Sequence, residues 1–407
     1  MRILLVAEDL PWPANNGYRI RLSNIARALA DAGSVHVVAA ATPGDTAASV
    51  SPDIPVAGMD VVSLPRDDPH ATRLWRWVRS GLPRRLVSRD WTSLRHATHA
   101  VLSKEAFDLV WLGHAQSFVA VRRVVDEPFV VDIDNLFEEA IRHRRAGQRD
   151  RPGGRRGVRS VIARRVDAID EGRWERLHAE ISREAAAVAV CSELDRRRLG
   201  VGNAVVVPNG ATIPEAAPVS ATDPDRPVVT MIGLLAYEAN ADAARYFVND
   251  ILPTLRTWFP ALELRLVGRP GPVVDQIEGT PNVTIVGEVD DVADELARAD
   301  LVAVPIRFGG GTRLKVLEAF AHRVPVVSTT VGCEGIDLEP GRELLVADMP
   351  EAFAAACRDI IQQPELRQRL TSAARDLVVD EYRWEDIRRE VTHLALSLGS
   401  AQDRTSS

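Results

Sequence analysis

The sequence predicts an α/β protein of two domains, each built on a parallel β-sheet covered by helices. Its 407 residues exceed what a single hydrophobic core usually serves. Apolar strand patterns alternate with helical patterns twice along the chain, and this alternation is typical of parallel sheets. A stretch rich in Pro, Ala, Ser and Asp, residues 214–227, separates the two runs and indicates a linker.

Composition excludes several functional classes. The chain is 46% hydrophobic and 26% charged, as ordinary globular proteins are, and its net charge of −7 argues against wholesale nucleic-acid binding. Its three cysteines have no paired spacing, which disfavours a zinc site and favours the cytoplasm. We expect the N-terminus to form a strand rather than a signal peptide. We expect no membrane-spanning helix, because no uncharged apolar stretch reaches about 18 residues.

The first domain begins with an apolar run over 2–7, which predicts a central strand. A loop then leads to a helix from about Arg19 to Ala32, followed by a second strand. Doubly wound domains bring the backbone close to ligand phosphates at this first turn. Asn16 and Gly17 are therefore candidate cleft residues, with a plain turn as the alternative.

Two later strands of the first domain end in polar residues. His114 follows one apolar run, and Asp132, Asp134 and Asn135 end the next. Ligands of open α/β sheets bind beyond the carboxyl ends of strands, so His114 and Asp134 are candidate site residues. A structural histidine is the alternative for His114. The alternative for Asp134 or Asn135 is capping of the next helix.

Two segments are rich in arginine. Residues 65–94 combine arginines with three tryptophans, which predicts either an amphipathic patch against acceptor or anionic lipid, or a helix with snorkelling arginines. Residues 142–165 form a denser arginine run around Pro152 and two glycines. This run predicts a mobile insertion that contacts an anionic membrane.

The second domain contains further strands that end in glycine, among them one ending at Gly233. We expect the next helix to run from about Ala241 to Leu255, with Asn240 and Asp242 beginning it as N-cap residues. Helices are expected over 350–362, 365–380 and 384–398.

The most informative stretch is PIRFGGGTRLKVLEAFAHRVPVVS, residues 305–328. It has the order strand, glycine turn, helix and strand, which suits a phosphate placed at a helix N-terminus. Arg313 and Lys315 place two cations where the helix dipole disfavours them, which indicates a bound anion. Glu318, one turn further on, could accept hydrogen bonds from a ribose. The alternative is a glycine loop with a solvated Arg/Lys pair.

The pattern GGGTRLK-x-LEA-x-A-x-x-x-PVVS resembles the nucleotide-sugar site of the family 4 retaining glycosyltransferases. Those enzymes have the GT-B fold, with two Rossmann-like domains facing across a cleft. Their usual E-x7-E pair binds the donor ribose through its second glutamate, which Glu318 matches, while Gly310 stands at the first position. That departure resembles a subgroup carrying GGGTRLK, often encoded for exopolysaccharide assembly.

The resemblance implies roles for individual residues. Arg313 and Lys315 would stabilise the departing diphosphate, and His114 would contact the donor sugar. Other residues would bind the donor: Gly17, Gly233, Gly309, Gly310, Gly311, Thr312, Glu318 and Val289. Asn16 and Asp134 would line the acceptor side or the cleft. No metal or other cofactor is expected.

The resemblance also implies the domain roles and the reaction. Residues 1–215, joined by the helix at 384–398, would form the acceptor domain, and 226–383 the nucleotide-sugar donor domain. The enzyme would move a sugar to an acceptor hydroxyl, on a sugar, lipid-linked or small-molecule acceptor, in polysaccharide, glycolipid or glycoconjugate biosynthesis. We expect it in the cytoplasm, with peripheral contact at the inner membrane face. Two alternatives are a GT-B sugar-nucleotide epimerase and a non-catalytic nucleotide-sugar-binding protein.

Overall fold

The structure of the protein, a computed structural model, describes residues 1–41, 54–64, 68–147, 158–215, 223, 225–311 and 313–403. These residues divide into two compact units. The first unit consists of the described parts of Met1–Arg145, Arg151–Pro208 and Glu385–Ser407. The second consists of the described parts of Ala146–Asp150 and Asn209–Trp384. Within the described ranges, no helix combines enough length with enough apolar sequence to cross a bilayer.

The first unit has, among its described residues, one parallel sheet of seven strands in the order β3-β2-β1-β4-β5-β6-β7. The strands are β1 (Arg2–Ala7), β2 (Ser34–Ala41), β3 (Gly58–Ser63), β4 (Leu109–Gly113), β5 (Phe129–Ile133), β6 (Ala187–Val190) and β7 (Ala204–Val206). The helices are α1 (Gly17–Ala32), α2 (His70–Ser80), α3 (Thr92–Leu102), α4 (His114–Val121), α5 (Phe137–Gly147), α6 (Val158–Glu184), α7 (Glu193–Leu199) and α15 (Trp384–Asp403).

The strand order of the first unit reverses between β1 and β4. Such a switch point is where open α/β sheets bind ligands. Ala7 of β1 pairs with Gly113 of β4, so the residues that follow, Glu8 and His114, emerge side by side. Both central strands are almost wholly buried, which explains their unbroken apolar sequences.

The second unit has a parallel sheet whose six described strands follow the order β10-β9-β8-β11-β12-β13. The strands are β8 (Val228–Ile232), β9 (Glu263–Val267), β10 (Val283–Gly287), β11 (Leu301–Val304), β12 (Val326–Ser328) and β13 (Leu345–Val346). The helices are α8 (Glu238–Tyr246), α9 (Leu252–Trp258), α10 (Val274–Ile277), α11 (Ala293–Arg298), α12 (Leu314–Ala321), α13 (Pro350–Gln362) and α14 (Pro364–Glu381). A π-helical turn, Phe247–Ile251, joins α8 to α9. The switch point lies between β8 and β11.

Two sequence predictions are wrong in detail. Asn240 was expected to cap a helix, but α8 begins at Glu238 and Asn240 lies within its first turn. The expected insertion over 142–165 is helical where it is described, because α5 extends to Gly147 and α6 begins at Val158. Carboxylates on α6 hold these arginines, as the bond of 2.9 Å from Arg142 Nε to Glu171 Oε1 shows. Residues 148–157 lie outside the described residues.

Candidate functional site

The glycine-rich loop between β11 and α12 is organised around Arg313. This residue lies at the N-cap position of α12, and its Nη1 donates to the carbonyl oxygen of Gly310 at 2.7 Å. Gly309 has a φ of +142°, and a Cβ there would lie 2.6 Å from Nη2 of Arg313. The loop therefore needs glycine at 309 to close around the guanidinium. Thr312, predicted to bind donor, lies outside the described residues.

Lys315, in the first turn of α12, reaches the switch point of the second sheet. Its Nζ donates to Oδ1 of Asn240 at 2.8 Å. A Cβ on Gly233, just after β8, would lie 2.7 Å from the same Nζ. A small cavity at this point is lined by Lys315, Asn240 and Gly233, together with residues of β8 and β11. The lysine therefore places an ammonium where parallel α/β sheets bind ligands.

Two groups on α12 have shifted pKa values. Burial, with the nearby charge of Arg313, lowers the pKa of Lys315 to about 7. Burial also raises the pKa of Glu318 to about 7. Arg313 and Lys315 are crowded together at a helix N-terminus, which disfavours cations. A bound anion would relieve this unfavourable arrangement.

We expect Lys315 to titrate near pH 7 in the free protein. The sequence has two lysines, Lys104 and Lys315, so reductive methylation with ¹³C formaldehyde labels few amines for NMR. A nucleoside diphosphate should move the pKa of Lys315 upward, because the added negative charge favours the ammonium. Nucleotide affinity should then fall as pH rises above 7, since the terminal phosphate, with a pKa of about 6, stays ionised.

Lys315→Arg is the control for this titration. The methylamine signal that is missing from the spectrum of this variant is the signal of Lys315. The exposed Lys104 provides an internal reference in the same spectrum. A Lys315 signal that titrates above pH 10, as an ordinary lysine does, would contradict the packing described for its ammonium.

The other residues of the second unit that were predicted to bind donor lie along the same edge of its sheet. Gly309, Gly310 and Gly311 form the loop, and Glu318 lies one turn into α12. Val289 follows β10, whose last residue, Gly287, has a φ of +86°. The strand order β10-β9-β8 places β10 two strands away from the switch point.

Sequence reasoning missed two residues of this region. The first is Asn240, the partner of Lys315. The second is Arg307, whose Nη2 lies 2.6 Å from Oδ1 of Asp242 and whose guanidinium stacks 4.3 Å from the ring centroid of Tyr246. These contacts hold the start of the glycine-rich loop against α8. An arginine directly after an apolar strand was the available signal for Arg307.

The first unit gathers a separate polar cluster at the β1–β4 switch point. His114 directly follows β4 with a φ of +67°. Its Nδ1 lies 2.7 Å from Oε1 of Glu8, and its Nε2 lies 2.5 Å from Oδ1 of Asp134. The Tyr18 ring stacks on the imidazole with 3.9 Å between centroids. The structure thus brings two of the predicted residues, His114 and Asp134, into contact, while Glu8 and Tyr18 were missed.

The charge state of this cluster follows from its geometry. Burial alone would lower the pKa of His114, but Asp134 and Glu8 raise it to about 10. The ring is therefore an imidazolium at neutral pH. Burial would raise the pKa of Asp134, but the charge of His114 lowers it. Both ring nitrogens of His114 face carboxylates, so the site presents a held cation flanked by two acids.

Asn16 and Gly17 lie at the start of α1. The Asn16 side chain accepts from the backbone N–H of Arg19 at 3.0 Å and caps the helix, and Gly17 is its first residue. The helix was expected to begin near Arg19, and the cap extends it by two residues. In the part of the chain that the structure describes, no three His, Cys, Asp or Glu side chains gather as metal ligands would.

Comparison with known proteins relates both sheets to one class of enzyme. Residues 226–363 match the family model described as glycosyl transferases group 1. Glycogen synthase of Mycobacterium tuberculosis is 26% identical, over 95% of this chain and 92% of that protein.

Solved structures match almost the whole chain. Sucrose-phosphate synthase of Thermosynechococcus elongatus superposes with a TM-score of 0.70 at 20% identity, over 98% of this chain and all of that one. HepE of Anabaena, solved with UDP and glucose, superposes with a TM-score of 0.66 at 15% identity, again over 98% of this chain and all of that one. The chain is therefore a glycosyltransferase with the GT-B fold, and its residues 226–363 are similar to the group 1 glycosyl transferases.

Proposed function

We propose that the protein is a retaining glycosyltransferase that moves a sugar from a nucleoside diphosphate to an acceptor hydroxyl. The bond between the anomeric carbon and the β-phosphate oxygen breaks, and the acceptor oxygen bonds the same face of that carbon. The acceptor proton passes to the departing phosphate oxygen. Retention and placement in family 4 rest on the GGGTRLK pattern and Glu318.

The observation that carries this proposal is the pair of cations at the β8–β11 switch point. Arg313 and Lys315 stand beside the glycine-rich loop, and the Lys315 ammonium is packed well enough to lower its pKa to about 7. Departure of a nucleoside diphosphate develops negative charge on the β-phosphate. Fixed donors around such charge are usually the largest contribution to catalysis. In this proposal Arg313 and Lys315 stabilise the charge on the β-phosphate, and no metal ion is assigned a role.

The remaining predicted residues have, in this proposal, the individual roles that the resemblance implies. Glu318 would accept hydrogen bonds from the donor ribose, and the backbone near Val289 would contact the base. His114 would meet the donor sugar, while Asn16 and Asp134 would line the acceptor side. The HepE structures hold UDP or UDP-glucose, which makes uridine nucleotides the first donors to test.

Thermal unfolding with UDP, GDP, ADP and dTDP tests the donor site. A ligand present at 100 times its dissociation constant stabilises the folded state by about 2.7 kcal/mol. We expect one nucleotide to raise the melting temperature of the wild type. Glu318→Ala should lose that shift, because the ribose contact is removed.

The matched control is Glu365→Ala, which changes an exposed carboxylate at the start of α14. This variant should keep the full nucleotide shift. If no nucleotide shifts the wild type, or if both variants respond equally, the donor site is misplaced. Incubation of the matching nucleotide sugar without acceptor separates the alternatives, since an epimerase converts it and a binding protein leaves it unchanged.

The biological setting forms part of the same proposal. A transferase with a GGGTRLK donor loop fits the building of polysaccharide, glycolipid or glycoconjugate. A cytoplasmic location suits its three cysteines, which are all buried and form no disulfide among the described residues. Acceptors to test first are sugars, lipid-linked sugars and small hydroxylated molecules.

A further inference from the structure

Helix α2 in the first unit turns its apolar side towards solvent. Ala71, Leu74, Trp75 and Val78 have the i, i+3, i+4, i+7 spacing that marks one helix face. The exposed fractions are 51% for Leu74, 59% for Trp75 and 63% for Val78. An amphipathic helix of a globular protein normally buries this face. Among the described residues, α2 instead exposes it.

A side of α2 next to this apolar face is fixed to helix α6. Nε1 of Trp77 donates to Oδ1 of Asp170 at 3.1 Å, and the guanidinium of Arg173 stacks on the Trp77 ring at 4.5 Å. Arg173 Nη1 also donates to the carbonyl oxygen of Leu82, just beyond α2, at 2.9 Å. These contacts set the rotation of α2 about its axis, which leaves Trp75 and its apolar neighbours facing outward.

Helix α6 extends the exposed apolar area. Ile162 and Ile169 are 55% and 47% exposed. With Arg173 they follow an i, i+7, i+11 spacing, so they share the helix stripe that contacts α2. We call the five residues Leu74, Trp75, Val78, Ile162 and Ile169 the α2–α6 surface. Clustered exposed apolar side chains on a folded protein usually mark an interaction site.

Positive charge borders the α2–α6 surface. The Arg79 guanidinium lies 5.1 Å from the Trp75 ring centroid, and Arg165, on the same side of α6 as Ile162 and Ile169, is exposed. A groove of about 340 Å³ opens beside Trp75. Its lining combines apolar residues with four arginines and one acid; the charged members are Arg76, Arg79, Arg89, Arg95 and Asp90. This local excess of cations stands out in a chain with a net charge of −7.

We infer that the α2–α6 surface docks the protein on an anionic phospholipid bilayer. Apolar side chains enter the boundary between headgroups and acyl chains, while arginines on the rim meet lipid phosphates. A second copy of the chain fits less well, because a two-fold contact would bring the same arginine rim against itself. This inference does not depend on the reaction proposed above.

Flotation with lipid vesicles tests the inference on the full chain. We expect the wild type to float with vesicles of 70% phosphatidylcholine and 30% phosphatidylglycerol, and much less with phosphatidylcholine alone. High salt should weaken binding, because it screens the arginine–phosphate attraction. Changing Leu74, Trp75 and Val78 together to serine should reduce the partition coefficient at least about tenfold. Arg79→Glu should reduce it about tenfold on its own.

Matched variants control for general surface polarity. Met349→Ser and Leu396→Ser change apolar side chains that are 64% and 43% exposed elsewhere, and Arg197→Glu reverses an exposed charge on α7. All three should float as the wild type does. Because the α2 positions are exposed, the triple variant should keep the wild-type melting temperature.

Three results would overturn the inference. The first is a wild type that fails to float with anionic vesicles, and the second is normal flotation of both the triple serine variant and Arg79→Glu. The third is a wild-type dimer in sedimentation that the triple variant converts to monomer without vesicle binding in either protein. That result would assign the surface to a second copy of the chain.

Discussion

Replacing Lys315 with alanine is expected to lower turnover about a hundredfold or more, and Arg313→Ala should do the same. Both cations lie at the β8–β11 switch point, where Lys315 Nζ holds Asn240 and Arg313 closes the glycine-rich loop. In the proposed reaction, loss of either removes positive charge from the place where the departing diphosphate becomes more negative. The measurement is kcat with the nucleotide sugar whose base gives the thermal shift.

The other lysine of the chain provides the control for this experiment. Lys104 is exposed and follows α3 in the first unit, so Lys104→Ala should keep wild-type turnover. Melting temperatures of all three variants show whether lost activity reflects unfolding. Near-normal turnover in both Arg313→Ala and Lys315→Ala would reject the assignment of the donor site.

Replacing Asp132 with alanine should lower the free energy of unfolding by about 3–5 kcal/mol. Asp132 lies in β5, one residue before its end, and its carboxylate accepts hydrogen bonds from Arg21, at 2.9 Å from Nε and 2.6 Å from Nη2. The Arg21 side chain is only 1% exposed. Removing the carboxylate therefore leaves a buried guanidinium without its counter-charge. Urea denaturation followed by circular dichroism measures the change.

An exposed ion pair calibrates this prediction. Arg196 and Glu193 also pair, but both side chains are about half exposed, so Glu193→Ala should lower the free energy of unfolding far less than Asp132→Ala does. The double variant Arg21→Met/Asp132→Leu should recover much of the lost stability, because it removes both buried charges. Equally small losses of unfolding free energy for Asp132→Ala and Glu193→Ala would show that the buried pair stabilises the fold no more than the exposed pair does.

The strands and the glycine-rich loop could be predicted from sequence because their signals are local. Strands of parallel sheets are buried on both faces and appear as unbroken apolar runs, as β1 and β4 do. The glycines at 309–311 and the cations at 313 and 315 lie within seven residues of one another. A short pattern of that kind can be recognised without knowledge of the rest of the fold.

The partners of these residues could not be predicted, because they are distant in sequence. Glu8 and His114 are separated by 106 positions and meet only through the pairing of β1 with β4. Asn240 was assigned to a helix cap by a local rule, while its amide oxygen accepts from Lys315, 75 positions later. The outward-facing side of α2 has the same periodicity as a buried helix, so sequence alone does not give its orientation.

The Arg21–Asp132 pair also has a mechanical consequence. Besides binding Asp132, the guanidinium of Arg21 donates from Nη1 to the carbonyl oxygen of Val207 at 2.9 Å. Val207 and Pro208 are the last residues of the first unit before the chain passes to the second. A force that pulls the backbone at Val207 and Pro208 is therefore transmitted through Arg21 to the interior strand β5. The edge strand β7 has three residues and would otherwise separate from the sheet first. The contact through Arg21 keeps that force from acting on β7 alone.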